Sequence, residues 1–189
     1  PSGFSHRMRM TQPWGSNSMT STRNDPSWPE LQRASRAVLL VDVVDSVRLY
    51  AQDERGSVRR WQAFVQEVLT IMLPQHEGHL VRSNGDGLVL DFPAVPGALR
   101  CAFDLQASAA RANEGLPPGQ WMSLRAGIDT GDIYVDALDI QGRVVNMAAR
   151  LSTLAQPGEV IVSAPVRDRL IPGVDSEIED LGPCFFKNA

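Results

Sequence analysis

An aspartate set in the middle of an apolar run is the first residue that could do chemistry. The run is AVLLVDVV, Ala37 to Val44, and Asp42 interrupts it. Desolvating that carboxylate is costly unless something positive sits beside it, and a metal ion is the usual compensation. The other reading is a strand-end Asp that caps the turn at Asp45-Ser46. Asp86 is the second, in Ser83-Asn84-Gly85-Asp86-Gly87. By itself this segment is a hairpin turn, because Asn-Gly and Asp-Gly pairs supply the backbone angles that hairpins require. Together with Asp42 it becomes more, since a strand, helix and hairpin in succession let the first strand pair beside the hairpin. Two carboxylates at one sheet edge offer hard oxygen ligands suited to Mg²⁺ or Mn²⁺. A third segment, DIQGRVVNMAAR at 139 to 150, places Asn146 and Arg150 four residues apart. On a helix they share a face and offer an amide and a guanidinium to one ligand, or else form a solvated surface.

The elements that must hold these residues are legible in outline. The run 37 to 44 has the length and branching of a strand buried on both faces. Val58, Trp61, Phe64, Val65, Val68, Leu69 and Met72 recur at helical spacing and predict an amphipathic helix that ends before Pro74. Trp61 and Phe64 are expected in its core face rather than as ligand-stacking residues. His79 to Arg82 and Gly87 to Phe92 predict the two strands of the hairpin. A second helix is expected from about Val95 to Ala112, its apolar face including Ala98, Leu99, Ala102, Phe103 and Leu105. Ser123 to Ile128 reads as a strand, Thr130-Gly131-Asp132 as a hairpin turn, and Ile133 to Val135 as a further strand. A helix over Val144 to Leu154, a break at Pro157-Gly158, a strand over Glu159 to Val162 and a short helix over Ala164 to Leu170 follow. The order β-α-β-β-α-β is the ferredoxin-like, split-βαβ arrangement of the α+β class, here with additional C-terminal elements.

Residues 1 to 35 are rich in Ser, Thr, Asn, Pro and Met without helix or strand period, and are expected to form a flexible leader. Within it, Ser27-Trp28-Pro29-Glu30 resembles a cap and first helical turn. The remainder, 36 to 189, reads as one domain, which fits a chain of 189 residues.

Composition excludes several function classes. With 43% hydrophobic and 21% charged residues, 15 Gly and 13 Pro, the chain is neither collagen-like nor fully disordered. A net charge of -4 argues against nucleic acid as the main partner, because phosphate-backbone binding relies on clustered positive charge. Cys101 and Cys184 form no CxxC pair, so neither a zinc ribbon nor a disulfide framework is expected, and a reducing cytoplasm is the natural setting. No stretch approaches the ~20 apolar residues of a membrane span. His76-Glu77-Gly78-His79 is not HExxH and reads as a polar helix-to-strand connection, and a GxxxxGK[ST] loop is absent.

VDVVDS at 41 to 46, RSNGDG at 82 to 87, DIQGRVVNMAAR at 139 to 150 and PGEVIVS at 157 to 163 resemble, in order and spacing, the catalytic domain of class III adenylate and guanylate cyclases. The likeness covers about residues 36 to 188, and its third segment is the most specific. It implies that Asp42 and Asp86 hold two divalent cations, that Asn146 holds the ribose, and that Arg150 stabilises charge on the α-phosphate. It implies that Asp139 accepts a hydrogen bond from the adenine amino group, that Arg82 stands where adenylate cyclases carry a base-selecting lysine, and that Lys187 grips the terminal phosphates. Of 18 Lys and Arg residues Lys187 is the single lysine, which suggests a requirement for an ammonium there. With a donor at Arg82 and an acceptor at Asp139, ATP is favoured over GTP, whose O6 acceptor would face the carboxylate.

The sequence departs from the family at Asp45, where Gly is usual, and at Val47, where Thr is common. Asp45 could repel phosphate, point outward or help hold a metal. The expected function is therefore an adenylate cyclase active as a head-to-tail homodimer. The alternatives are a catalytically weak or inactive nucleotide-binding regulatory module, and a guanylate cyclase. Since family members commonly continue beyond the position of Lys187 with another strand and with sensor domains, a piece of a longer chain is also expected.

Overall fold

The computed structural model describes residues 32–135, 139–170 and 179–182. Its centre is a six-stranded sheet in which β1 (Gln32–Val43) lies between β3 (Gly87–Phe92) and β4 (Leu124–Val135). β2 (His79–Ser83) flanks β3, β5 (Ile140–Gln141) pairs with the far end of β4, and β6 (Val160–Val162) runs parallel to the near end of β4. The order β2-β3-β1-β4 is the ferredoxin-like one, and its pairings are antiparallel.

Alternation along β1 decides which side chains go to which face. Ala37, Leu39, Val41 and Val43 enter the larger core with Leu124, Ala126 and Ile128 of β4. That core is closed by α1 (Ser46–Glu67) through Leu49, Trp61 and Phe64, and by α3 (Val95–Ala112) through Ala98, Leu99, Ala102 and Leu105. Trp61 and Phe64 stack at 5.5 Å between ring centroids, as core residues. Burial of each large side chain contributes about 1.5–3 kcal/mol before entropy is charged. Phe103, expected in this face, is 41% exposed. Burial pushes the Cys101 thiol up to about 12, with a smaller push from Asp104, so it behaves as a small hydrophobe.

The opposite face carries α4 (Arg143–Leu154), whose Val144, Val145 and Ala148 pack on Val38, Val89, Ile133 and Ile140. The helix can come this close because β4 has a glycine beneath it. A Cβ on Gly127 would stand 2.3 Å from both the Ala148 carbonyl oxygen and the Ser152 nitrogen. The part of this face beyond α4 is where Asp42, Arg125 and Arg82 emerge.

Several expectations need correction. β1 begins at Gln32, inside the segment assigned to the leader, because its first residues pair with the second half of β4. The same pairing removes the turn expected at Thr130-Gly131-Asp132: Thr130 and Gly131 lie opposite Ala37 and Arg36 in one continuous strand. Ser27 to Glu30 lie outside the described residues. The first helix starts at Ser46, about three turns ahead of the apolar series that begins at Val58. It bends at Asp53, whose Oδ1 accepts a hydrogen bond from Gly56 N–H at 2.9 Å and starts the second half. Nor does it end before Pro74. A π turn over Val68–Met72, closed by Leu73 N–H to the Val68 carbonyl, leads into a last turn, α2 (Leu73–Gln75), that contains the proline. The final short helix, α5, covers Ala164–Arg167 and stops before Leu170.

Candidate functional site

Asp42 is the last residue of β1 but one, and its register partner in β3 is Gly87. Val43 N–H then donates to the Asp86 carbonyl at 3.0 Å, which fixes the hairpin turn against the end of β1. The turn itself is closed by Asn84 N–H to the Gly87 carbonyl at 2.8 Å, with Gly85 at φ 69° where a side chain would be strained. Pairing and turn together bring the two carboxylates to one sheet edge. Gly87 keeps the approach open: a Cβ there would lie 3.1 Å from the Val41 carbonyl and 3.4 Å from Asp42 Oδ1.

The positive charge that Asp42 needs comes from within the chain. Arg125 of β4, the register partner of Asp42, donates to Asp42 Oδ2 from Nε at 3.0 Å and from Nη2 at 2.6 Å. Asp42 therefore does not cap the turn at Asp45-Ser46. Asp86 Oδ2 accepts a short hydrogen bond from Ser46 Oγ, at the first residue of α1. Each carboxylate thus has one oxygen held by a protein donor. Its second oxygen, Oδ1 in both cases, accepts no hydrogen bond among the described residues. This donor set suits a hard divalent cation, which needs only one or two carboxylates when phosphate and water complete its shell. Among the described residues, no group of three or more His, Cys, Asp or Glu gathers for a metal.

Asp45 adopts the left-handed conformation at φ 51°, which gives a physical reason for glycine at such a position. Its carboxylate turns toward Arg48 Nε, at 3.9 Å, and is 69% exposed, so of the three possibilities it points outward. Val47 is also turned to solvent.

Arg82 and Asp139 meet. Arg82 Nη1 stands 3.2 Å from Asp139 Oδ2, although β2 and the residue preceding β5 belong to opposite margins of the sheet, with β3, β1 and β4 between them. Asp139 Oδ1 accepts from the Ile140 N–H at 2.8 Å, which orients the carboxylate. Asn146 and Arg150 lie one turn apart on α4, the first exposed and the second half-buried. Lys187 lies outside the described residues. Strand pairing and hydrogen bonds thus gather four of the seven sequence-predicted residues into two groups, Asp42 with Asp86 and Arg82 with Asp139, while Asn146 and Arg150 share α4.

Sequence reasoning missed Arg125 and Ser46. Arg125 left a signal: it is a charge set between Leu124 and Ala126 in the apolar first half of β4, the counterpart of Asp42 in β1. Ser46 left none, since its role depends on a contact across 40 residues of sequence. His76, in the polar connection, pairs through Nε2 with Asp104 at 2.6 Å and with neither group.

No protein-family model matches the chain. It is 34% identical over 158 residues to a Rhizobium meliloti protein named "Putative adenylate cyclase 3", with 84% of this chain and 27% of that protein covered. An adenylate cyclase of Glutamicibacter nicotianae is 27% identical over 163 residues, covering 84% of this chain and 38% of that one. The chain therefore spans well under half the length of these relatives. Among solved structures, the adenylate/guanylate cyclase/hydrolase of Silicibacter pomeroyi superposes with a TM-score of 0.75 at 32% identity, covering 84% of this chain and 92% of that one. The adenylyl cyclase CyaB of P. aeruginosa shares the fold, with a TM-score of 0.64 at 20% identity over 74% of this chain and 81% of its own. With identity of this level across nearly the whole Silicibacter chain and a shared fold, the chain belongs to the class III adenylate/guanylate cyclase family.

Proposed function

We propose that the protein is an adenylate cyclase that converts ATP to 3′,5′-cyclic AMP and pyrophosphate at sites shared across a head-to-tail homodimer. The observation that carries this reading is the convergence of Asp42 and Asp86 at one sheet edge, each with one oxygen held and one presented. The two carboxylates would hold divalent cations, Mg²⁺ or Mn²⁺, which when bound lower the pKa of the ribose 3′-hydroxyl and neutralise the triphosphate.

The chain's own residues supply position and charge. The Asn146 amide holds the ribose so that its 3′-oxygen lies in line with the α-phosphorus. The 3′-hydroxyl gives its proton to solvent as its oxygen bonds to the α-phosphorus, the bond to the β-phosphate oxygen breaks, and pyrophosphate leaves. Arg150 stabilises the charge that grows on the α-phosphate oxygens, and Lys187 grips the departing phosphates. Arg82 offers a donor to adenine N1 and Asp139 an acceptor to the 6-amino group. Their ion pair supports this assignment, since it aligns donor and acceptor side by side. Arg125 leaves Asp42 part-neutralised before any cation arrives, so a cation competes with or joins the guanidinium there.

Regulatory segments in a longer chain and a cytoplasmic location belong to the same proposal. Among the described residues, no helix is long and apolar enough to cross a membrane.

The shared site is tested by mixing Asp42→Ala protein with Arg150→Ala protein. Each alone is expected to be inactive, and the mixture to recover part of the activity through heterodimers that keep one intact site. Heterodimers that form without recovery would contradict the shared site.

A further inference from the structure

A carboxylate in a hairpin turn ordinarily rotates freely in solvent. Asp86 is tied at both ends: its carbonyl accepts from Val43 N–H at 3.0 Å, and its side-chain Oδ2 accepts from Ser46 Oγ. Ser46 is itself well placed for this, since it is 9% exposed and follows the left-handed Asp45 that turns the chain from β1 into α1. Its hydroxyl is not used as a helix cap; α1 has no side-chain cap hydrogen bond. The parallel with Asp42 is close, because there too Oδ2 is engaged, by Arg125, and Oδ1 is the oxygen left over.

We infer that Ser46 is a positioning residue for the cation site: its hydroxyl holds Asp86 Oδ2 so that Oδ1 faces the place where the cation is shared with Asp42. The inference rests on the reading of Asp42 and Asp86 as cation ligands. A hydrogen-bond donor behind a ligating carboxylate fixes its rotamer and removes the entropy that binding would otherwise cost, an effect that changes metal affinity about 10–100-fold. Ser46 also borders a small cavity lined by Tyr50, Trp61 and Met122. Threonine and valine, of nearly equal shape, make a matched pair at this position that differs in the hydroxyl.

The test is Mn²⁺ titration of the full chain without nucleotide, followed by the loss of the free-ion EPR signal, with thermal melts of every variant. Ser46→Thr is expected to bind Mn²⁺ within about threefold of the parent, while Ser46→Val and Ser46→Ala bind at least about tenfold more weakly with similar melting behaviour. Asp86→Asn is expected to bind more weakly still. Parent-like Mn²⁺ affinity in Ser46→Val, alongside a loss in Asp86→Asn, would overturn the role of Ser46 and leave the cation site standing. Parent-like affinity in Asp86→Asn, or no Mn²⁺ binding by the parent, would overturn the cation site and the role of Ser46 together.

Discussion

Arg125 places two donors on a single oxygen of Asp42, at 3.0 and 2.6 Å, and so answers the charge that interrupts β1 with a charge that interrupts β4. Both side chains are about three-quarters withdrawn from solvent, which leaves the attraction less screened than at an open surface. Arg125→Leu is expected to lower stability by about 1–2 kcal/mol, and Asp42→Leu with Arg125→Leu to recover much of that loss, because no charge is then left unpaired. Urea unfolding of the two variants and the parent checks this. Equal stability of all three would show that the pair contributes nothing to the fold.

The seat of α4 gives a second expectation. Gly127→Ala would drive a methyl group into the backbone of Ala148 and Ser152, which cannot move without shifting the helix that carries Asn146 and Arg150. The variant is expected to lose about 3 kcal/mol or more, or to fail to fold, as overpacking against backbone does. A thermal melt reads the effect directly. A variant that melts like the parent would mean that α4 sits farther from β4 than described.

These two sites also mark how far the sequence could be read. The apolar part of β1, the hairpin and the helix over 95–112 were legible because Val38 to Val43 and Gly87 to Phe92 run largely apolar, and because Ala98, Leu99, Ala102 and Leu105 repeat at helical spacing. The site was legible where one short segment carries it, as in NGDG or in Asn146 and Arg150 on one helix face. Pairing was not. The strand from Leu124 to Val135 was divided at Thr130-Gly131, since a Thr-Gly-Asp triplet is a turn signal until residues 32–36 are seen to pair with it. The π turn before Pro74 hid the true end of α1, and the capping role of Asp53 hid its bend. Arg125 and Ser46 were missed for the same reason: each acts on a residue distant in sequence, through a register that local pattern does not encode. Asp45 went the other way, since its charge suggested a conflict with phosphate, whereas its backbone angle and its turn toward Arg48 explain how it fits.

In the proposed function, base choice is assigned to Arg82 and Asp139, which stand 3.2 Å apart. Arg82→Lys keeps the charge while removing the planar fork, and is expected to raise kcat/KM for ATP with GTP remaining poor. Asp139→Ala removes the acceptor and is expected to narrow the ATP to GTP preference by about tenfold. Steady-state rates with both nucleotides measure this. A preference unchanged in both variants would place base recognition elsewhere.

Cys101 tests the core independently of catalysis. With its thiol pushed up to about 12 by burial and by Asp104, it holds its proton throughout the neutral range. In a Cys184→Ser background, iodoacetamide at pH 8 is expected to leave the folded protein unmodified and to label it once in urea. The linkage has a definite sign: the unfolded thiol ionises near its ordinary 9.0, the folded one near 12, so this contribution to stability is intact below pH 9 and is lost as pH rises toward 12. Rapid labelling of the folded protein would contradict the packing described for α3.

The most direct test is cyclic nucleotide formation from ATP and from GTP, with Mn²⁺ and then Mg²⁺, at protein concentrations that favour the dimer, with Asp42→Asn as the control. The account predicts cyclic AMP and pyrophosphate in equal amounts from ATP, little product from GTP, and loss of activity in the control. No cyclic product from either nucleotide with either metal, from a folded dimer, would contradict it and favour a cyclase relative without turnover.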